Sequence, residues 1–227
     1  MQKLAENLWI FDGEPVTFLA CPFTTRMTVI RLSDGSLWIH SPIKLGADLM
    51  QSLSALGQVR YLIAPNHLHH LYLDEWQQVF PKALTYGTDQ VIKKRGDLNF
   101  NGSLDQEESW PWADEISQMM FTGSRLMQET VFFHLESRTL IVTDLIENFP
   151  KAHFNWWQRV LAKGVGILAP NGKTPLDWRL SFNKKQAKIH FEKMKSWAPD
   201  KIVLAHGNII ENNGTEFLTR SFAWVGG

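Results

Sequence analysis

The sequence predicts a layered α/β fold, because a run of short, mainly antiparallel strands is followed by mixed strands and helices. The chain has 227 residues, of which 44% are hydrophobic and 20% are charged, and this composition is typical of a globular protein. No linker rich in Pro, Gly or Ser divides the chain. We therefore predict a single domain over residues 1–227.

In the first half, short β-branched or aromatic segments separated by turn signals predict strands. These strands are Leu8–Phe11, Met27–Leu32, Ser36–His40, Arg60–Ala64 and Ala83–Tyr86. Apolar residues at helical spacing predict a helix over Leu45–Leu56 that ends at Gly57. Two further helices are predicted over residues 73–80, before Pro81, and over residues 88–94.

The second half repeats this mixture of strands and helices. Strands are predicted at Thr130–Leu135, Thr139–Val142 and Lys201–Ala205. Helices are predicted at Phe154–Ala162, Asn183–Trp197 and Glu216–Trp224. Asn183 is the expected N-cap of its helix, because its side chain can accept hydrogen bonds from the first free backbone N–H groups.

Composition excludes several classes of function. Lys and Arg number 23, as do Asp and Glu, so the zero net charge argues against a nucleic-acid partner. No apolar run is long enough to cross a bilayer and the N-terminus is not typical of a signal peptide, so we expect a cytoplasmic protein without a membrane partner. The single cysteine, Cys21, excludes an intramolecular disulfide. We expect a monomer or homodimer that takes a small-molecule ligand or substrate.

Polar residues that can bind metals follow four of the predicted strands. These residues are His40, the trio His67, His69 and His70, then Asp144, and finally His206. Histidine and carboxylate groups that meet at one edge of a sheet are the donors of a nitrogen and oxygen metal site. A lone histidine such as His40 often has only a structural role, whereas three histidines within four residues favour a functional one.

The segments LIAPNHLHH, RTLIVTDLIEN and KIVLAHGNII resemble those of the metallo-β-lactamase superfamily. The segments TTRMTVIRLSDGSLWIHSPI, VRYLIAPN and SRTLIVTDLI are similar to a branch of that superfamily that is described as a domain of unknown function. The resemblance covers nearly the whole chain. It implies a four-layer αββα sandwich of metallo-β-lactamase type, a site for one or two metals, and hydrolysis of lactams, thioesters or phosphodiesters.

The superfamily motif THxHxDH matches this chain only in part, in either of two registers. In one register, His67 and His69 fall on HxH, and Leu71-Tyr72 replaces the Asp-His pair. In the other, Pro65 replaces the first His, His67 is the second, His69 replaces the Asp, and His70 is the last His. Neither register restores the full ligand set.

The remaining superfamily ligands are matched unevenly. Asp144 falls on the metal-bridging Asp, and His206 on the last His, which precedes a glycine. Gly123-Ser124 stands where the superfamily has a Gly-His turn, and His40-Ser41-Pro42 replaces its early Asp-containing turn.

The resemblance therefore implies a degenerate site for one ion of zinc, iron or manganese. Its ligands would come from His67, His69, His70, Asp144, His206 and His40. Asp144 and His206 are the candidate catalytic residues, of a metal-dependent hydrolase of unknown substrate. The alternative is a non-catalytic relative that keeps the fold and binds a ligand or metal.

A second motif lies at residues 97–108, DLNFNGSLDQEE, which fits the calcium-binding loop of an EF-hand. The oxygen ligands would be Asp97, Asn99, Asn101, Asp105 and Glu108. Pro111 interrupts the helix that should leave the loop, and only one copy of the motif is present. Calcium binding is therefore disfavoured, and a solvated loop is the preferred interpretation.

Overall fold

The computed structural model describes residues 1–18, 21–106 and 109–226. The chain divides into two compact units, Met1–Trp112 and Ala113–Gly227. Each unit has its own sheet and its own buried core. The single domain over residues 1–227 stays a prediction.

The first unit is built on a seven-stranded sheet whose strands follow one another in chain order. They are β1 (Gln2–Ala5), β2 (Leu8–Phe18), β3 (Cys21–Arg31), β4 (Ser36–His40), β5 (Gln58–Ala64), β6 (Leu84–Gly87) and β7 (Gly102–Ser103). Pairing is antiparallel from β1 to β4 and parallel from β4 to β7. The helices are α1 (Ala47–Leu56), α2 (Leu73–Val79) and α3 (Asp89–Lys94).

Alternation along the strands separates two sets of buried side chains in the first unit. On β4, Leu37 and Ile39 belong to the hydrophobic core that also contains Trp76 of α2. Trp38 and His40 alternate with them, and their rings stack with centroids 5.6 Å apart. Because β4 and β5 are parallel, their carboxyl ends share one edge of the sheet, where His40 pairs with Ile63.

The second unit contains a four-stranded sheet in the order β11-β10-β9-β8. Its strands are β8 (Ile116–Phe121), β9 (Glu129–His134), β10 (Thr139–Ile141) and β11 (Lys201–Val203). Only the β10–β11 pair is parallel. The helices are α4 (Trp156–Val165), α5 (Leu176–Ser181), α6 (Lys184–Ser196) and α7 (Gly214–Ser221).

Most predicted elements are present, and the differences have local causes. The strand predicted at Leu8–Phe11 continues to Phe18, because a bulge between Gly13 and Val16 accommodates Pro15 in the pairing with β3. Strands β1, β7 and β8 and helix α5 were not predicted from the sequence. The N-cap prediction is confirmed, since the Asn183 side chain accepts hydrogen bonds from the N–H groups of Lys185 and Gln186.

Helix length bears on membrane insertion. Among the residues that the structure describes, no helix combines the length and the apolar character that crossing a bilayer requires.

Gly207, directly after His206, occupies a backbone conformation that favours glycine. Its φ is +90°, and an added Cβ would clash with the carbonyl oxygen of Asn148. We expect Gly207→Ala to lower the free energy of unfolding by about 1–3 kcal/mol through backbone strain alone. Urea denaturation measures this change.

Gly164 is the matched control for that substitution. It lies in α4, and an added Cβ would meet no atom within 4 Å. Gly164→Ala should therefore stabilise the protein, by about 0.5–1 kcal/mol. Equal effects of the two substitutions would contradict this account of Gly207.

Candidate functional site

The histidine-rich loop after β5 is shaped by the buried side chain of Asn66. Its Oδ1 accepts hydrogen bonds from the N–H groups of Leu68, at 2.8 Å, and His69, at 3.2 Å. Such a turn closes the loop on itself, so that the residues after Pro65 cannot continue the strand. The loop therefore returns His69 towards the end of β4.

His69 is held by Ser41, the residue that follows β4. Nδ1 of His69 lies 2.5 Å from Oγ of Ser41. Ser41 has a φ of +56°, a left-handed conformation that is costly for a residue other than glycine. Its N–H donates to the Ile63 carbonyl at 2.9 Å, which fixes this backbone. Strained backbone conformations that the surrounding structure holds in place occur often at functional sites.

His40 is buried at the end of β4 and stays neutral. Burial, and then the charge of His69, lower the pKa of His40 to about 3. A neutral imidazole keeps the lone pair that a metal ion requires. His40 therefore retains the chemistry of a ligand at every physiological pH.

His67 and His70 lie beside two cationic side chains of the same unit. Lys94 Nζ donates to the His67 carbonyl at 3.0 Å, and Arg95 Nη1 donates to the His70 carbonyl at 3.2 Å. Burial, and then the charges of Lys94 and Arg95, lower the pKa of His70 to about 4. Like charges repel, so these cations disfavour a metal ion at His70.

In the second unit, the structure brings Asp144 and His206 together. Asp144 follows β10, and His206 follows β11, the parallel neighbour of β10. Oδ1 of Asp144 lies 2.9 Å from Nε2 of His206, and both residues are buried. These two strand ends therefore form a His/Asp cluster.

Ser124, which the sequence resemblance places at a Gly-His turn of the superfamily, forms a structural turn in this chain. Its Oγ accepts hydrogen bonds from the N–H groups of Leu126 and Met127, each at 3.0 Å. The same oxygen lies 2.6 Å from Oγ of Ser181. These contacts give the Ser124 hydroxyl a role in shaping the loop.

The polar loop at residues 97–108 uses its oxygens locally. Asp97 pairs with Arg95 at 2.8 Å. Oδ1 of Asn101 accepts from the N–H of Thr85 at 2.8 Å, and Oδ1 of Asp105 from the N–H of Asp89 at 3.0 Å. The backbone carbonyl of Asn99 accepts from Gln77, and Glu108 lies outside the described residues. These contacts give the calcium-motif residues a structural role.

Comparison with known sequences identifies the family. The family described as Domain of unknown function (DUF4336) matches residues 5–161. The chain belongs to the DUF4336 family. No curated protein matches its sequence at a significant level.

Solved structures share the fold of this DUF4336 protein at low identity. A metallo-beta-lactamase from Pontibacter korlensis is 8% identical, with a TM-score of 0.67 over 99% of this chain and 97% of that one. One from Hirschia baltica is 13% identical, with a TM-score of 0.66 over 99% and 96% of the two chains. The metallo-beta-lactamase FIM-1 from Pseudomonas aeruginosa, in a mono-zinc form, is 9% identical, with a TM-score of 0.66 over 98% and 92%. The predicted metallo-β-lactamase type of α/β fold is thereby confirmed.

Glu129 is a residue of the DUF4336 site that sequence reasoning missed. It is fully buried at the start of β9 and accepts hydrogen bonds from the N–H groups of Thr143, Asp144 and Leu145, at 2.6, 2.8 and 3.1 Å. Burial, and then the charge of Asp144, raise its pKa above the usual range, while the backbone donors oppose this shift. The available signal was an acidic residue next to the apolar strand TVFF.

Glu147 was also missed. It is buried, and its charge interacts with those of His206 and Asp144. Burial is the main cause that raises the pKa of Glu147 to about 8. Its carboxyl group is therefore mostly protonated at neutral pH and adds little negative charge beside Asp144.

We expect Glu129→Ala to destabilise the protein by about 3 kcal/mol, because three buried N–H groups lose their acceptor. Chemical denaturation measures the change. Glu211→Ala, at an exposed loop position, is the control and should stay within about 0.5 kcal/mol of the parent protein. A Glu129→Ala effect as small as that of the control would refute the anchoring role.

The raised pKa of Glu147 predicts a pH-dependent stability. The unfolded chain loses this proton near pH 4.5, whereas the folded chain keeps it to about pH 8. The unfolded state binds fewer protons in this window, so this residue makes the free energy of unfolding fall as the pH rises. The free energy of unfolding of Glu147→Gln should fall less steeply with rising pH than that of the parent protein or of Glu211→Gln. Urea denaturation with a chelator present measures these free energies. Parallel pH curves would contradict the prediction.

Proposed function

We propose that this DUF4336 protein binds one divalent ion of zinc, manganese or iron and is a metal-dependent hydrolase of a small molecule. The observation that carries the proposal is the buried pair Asp144 and His206, whose donor atoms are 2.9 Å apart. A carboxylate and an imidazole at the ends of adjacent parallel strands are a mixed oxygen and nitrogen donor set, which suits these three metals.

The spacing of the two donor atoms fits the proposed ion. Two atoms bound to one zinc at about 2.0–2.2 Å in tetrahedral geometry lie about 3.3–3.6 Å apart. The observed 2.9 Å differs from this spacing by about half an ångström, which small side-chain rotations supply. The pair therefore needs no rearrangement of the backbone to accept an ion.

His69 is our choice for the third ligand, because it falls on the HxH match in one register of the sequence motif. His69, Asp144 and His206 each offer one atom that can bind a metal. The Ser41 hydroxyl at Nδ1 of His69 fixes the ring and leaves Nε2 as its donor atom. His67, His70 and His40 remain alternative ligands in this proposal, and the cations beside His70 make it the least favoured.

A bound ion would supply Lewis-acid activation of water and of the substrate. The protein's own groups prepare the site for this role. Glu129 holds the backbone of Asp144, and Asp144 in turn orients the imidazole of His206. Because Glu147 is mostly protonated at neutral pH, it adds little negative charge beside Asp144.

The second candidate function is a non-catalytic protein that keeps the fold and binds a ligand or metal. The state of Ser124 favours it, because this residue shapes a turn where the superfamily has a ligand. Without that ligand a second ion lacks a complete site, and the clamp on the attacking and leaving oxygens is lost.

Metal analysis tests the proposed ion. Protein purified without chelator should hold one ion per chain by plasma mass spectrometry. His206→Ala should weaken the affinity at least about 100-fold, since outer-sphere changes alone cost 10–100-fold. His190→Ala, on α6 and outside the proposed ligand set, is the control. An ion retained equally by both variants, or no ion in the parent protein, would refute the proposal.

Assays with lactam, thioester and phosphodiester substrates separate the two candidate functions. With zinc, manganese or iron loaded in turn, we expect turnover below about 1 s⁻¹, the lower end of the ordinary enzyme range. Slow turnover that disappears in His206→Ala supports a hydrolase. Stoichiometric metal with no turnover on any substrate class favours the non-catalytic protein. Turnover that is unchanged in His206→Ala indicates a contaminating enzyme and counts against the hydrolase.

A further inference from the structure

Helix α4 exposes one large apolar face. Trp156, Trp157, Val160 and Leu161 are 78%, 47%, 66% and 60% exposed. Their spacing places them on one side of the helix, because positions three or four apart share a face. Ala162 is the buried residue of the helix and marks its opposite, inward side. The exposed face therefore belongs to an amphipathic helix.

Helix α5 carries a further exposed apolar residue and lies near the carboxyl end of α4. Arg179 Nη2 donates to the carbonyl of Val165 at 3.0 Å, which brings α5 to the carboxyl end of α4. The next residue, Leu180, is 78% exposed. We call Trp156, Trp157, Val160, Leu161 and Leu180 the α4–α5 surface. Exposed apolar surfaces of this kind mark sites of interaction with proteins or membranes.

The segment that carries the α4–α5 surface is basic. Residues 151–180, which contain α4 and α5, include five Lys or Arg residues and one acidic residue, Asp177. Since the whole chain has zero net charge, the rest of the sequence carries a matching acidic excess. The exposed members include Lys151 and Lys163, which flank the apolar residues in the sequence. Basic and acidic residues are thus separated along the chain.

We propose that the α4–α5 surface binds an anionic phospholipid membrane, with α4 lying in the plane of the lipid headgroups. An apolar face with two tryptophans and flanking cations is the composition of helices that lie at a membrane interface. Anionic lipid headgroups attract each nearby Lys or Arg, and apolar side chains enter the boundary with the acyl chains. A protein partner would have to be acidic and apolar at once, whereas an anionic membrane always offers both properties.

The sequence expectation of no membrane partner does not address this mode of binding. That expectation depends on the absence of a long apolar run. Helix α4 has ten residues and is too short to span a bilayer. A helix that lies flat on the surface needs no spanning length.

Vesicle co-sedimentation tests the proposal. The full chain should bind vesicles of phosphatidylcholine mixed with phosphatidylglycerol. It should bind vesicles of phosphatidylcholine alone much more weakly. Binding should decrease as salt is added, because salt screens the attraction between Lys or Arg and the headgroups. The double variant Trp156→Ser/Leu161→Ser should lose at least about 10-fold in affinity, since two large apolar side chains no longer enter the membrane.

Matched variants exclude general effects on the surface of the protein. Val79→Ser removes an exposed apolar side chain of α2 and should leave vesicle binding unchanged. Lys163→Glu should weaken binding to anionic vesicles more than Lys82→Glu, which reverses an exposed charge before β6. Leu180→Ser removes an apolar side chain of the α4–α5 surface outside α4 and should also weaken vesicle binding. Circular dichroism verifies that each variant is folded.

Three results would overturn the proposal. The first is an absence of binding to anionic vesicles. The second is equal binding by the double variant and by Val79→Ser. The third is a homodimer that Trp156→Ser/Leu161→Ser converts to a monomer while vesicles bind neither form, which would assign the surface to a contact between two copies of the chain.

Discussion

The hydrogen bonds that Glu129 accepts are the interaction on which the second unit's candidate site depends. One buried carboxyl group binds three consecutive N–H groups, those of Thr143, Asp144 and Leu145. These three residues follow the end of β10, so their N–H groups are not paired within the sheet. Without Glu129 the turn would have three unsatisfied donors in the core, at a cost of about 1–3 kcal/mol each. The position of Asp144 against His206 therefore follows from a residue on the neighbouring strand.

In the first unit, the strained backbone of Ser41 positions His69. Ser41 adopts a left-handed conformation, and its N–H donates to Ile63 while its hydroxyl contacts His69. The strain is local, and the parallel pairing of β4 with β5 maintains it. Burial also keeps His40 neutral beside this contact. In both units, candidate ligands therefore lie at the ends of parallel strands.

Strand ends were the part of the site that sequence alone could predict. Asp144 and His206 each follow an apolar run, and parallel neighbours bring such positions together at one sheet edge. Long-range partners escaped prediction because their signal is not local. Glu129 lies 15 residues before Asp144 in the chain and looks like the start of an ordinary strand. Strands β1 and β8 were missed for a similar reason, since a partner strand and not their own residues stabilises them.

Ser124 stabilises the turn before β9 in this chain, at a position where the resemblance to the metallo-β-lactamase superfamily implies a ligand. Its hydroxyl caps two backbone N–H groups and contacts Ser181, so the turn before β9 is complete without any ligand. A histidine at this position would lack the hydroxyl that accepts both hydrogen bonds and contacts Ser181. Restoring the ligand would therefore remove a structural element of the turn. The Ser124 hydroxyl thus has a structural role in this loop, which agrees with the proposal of a site for a single ion.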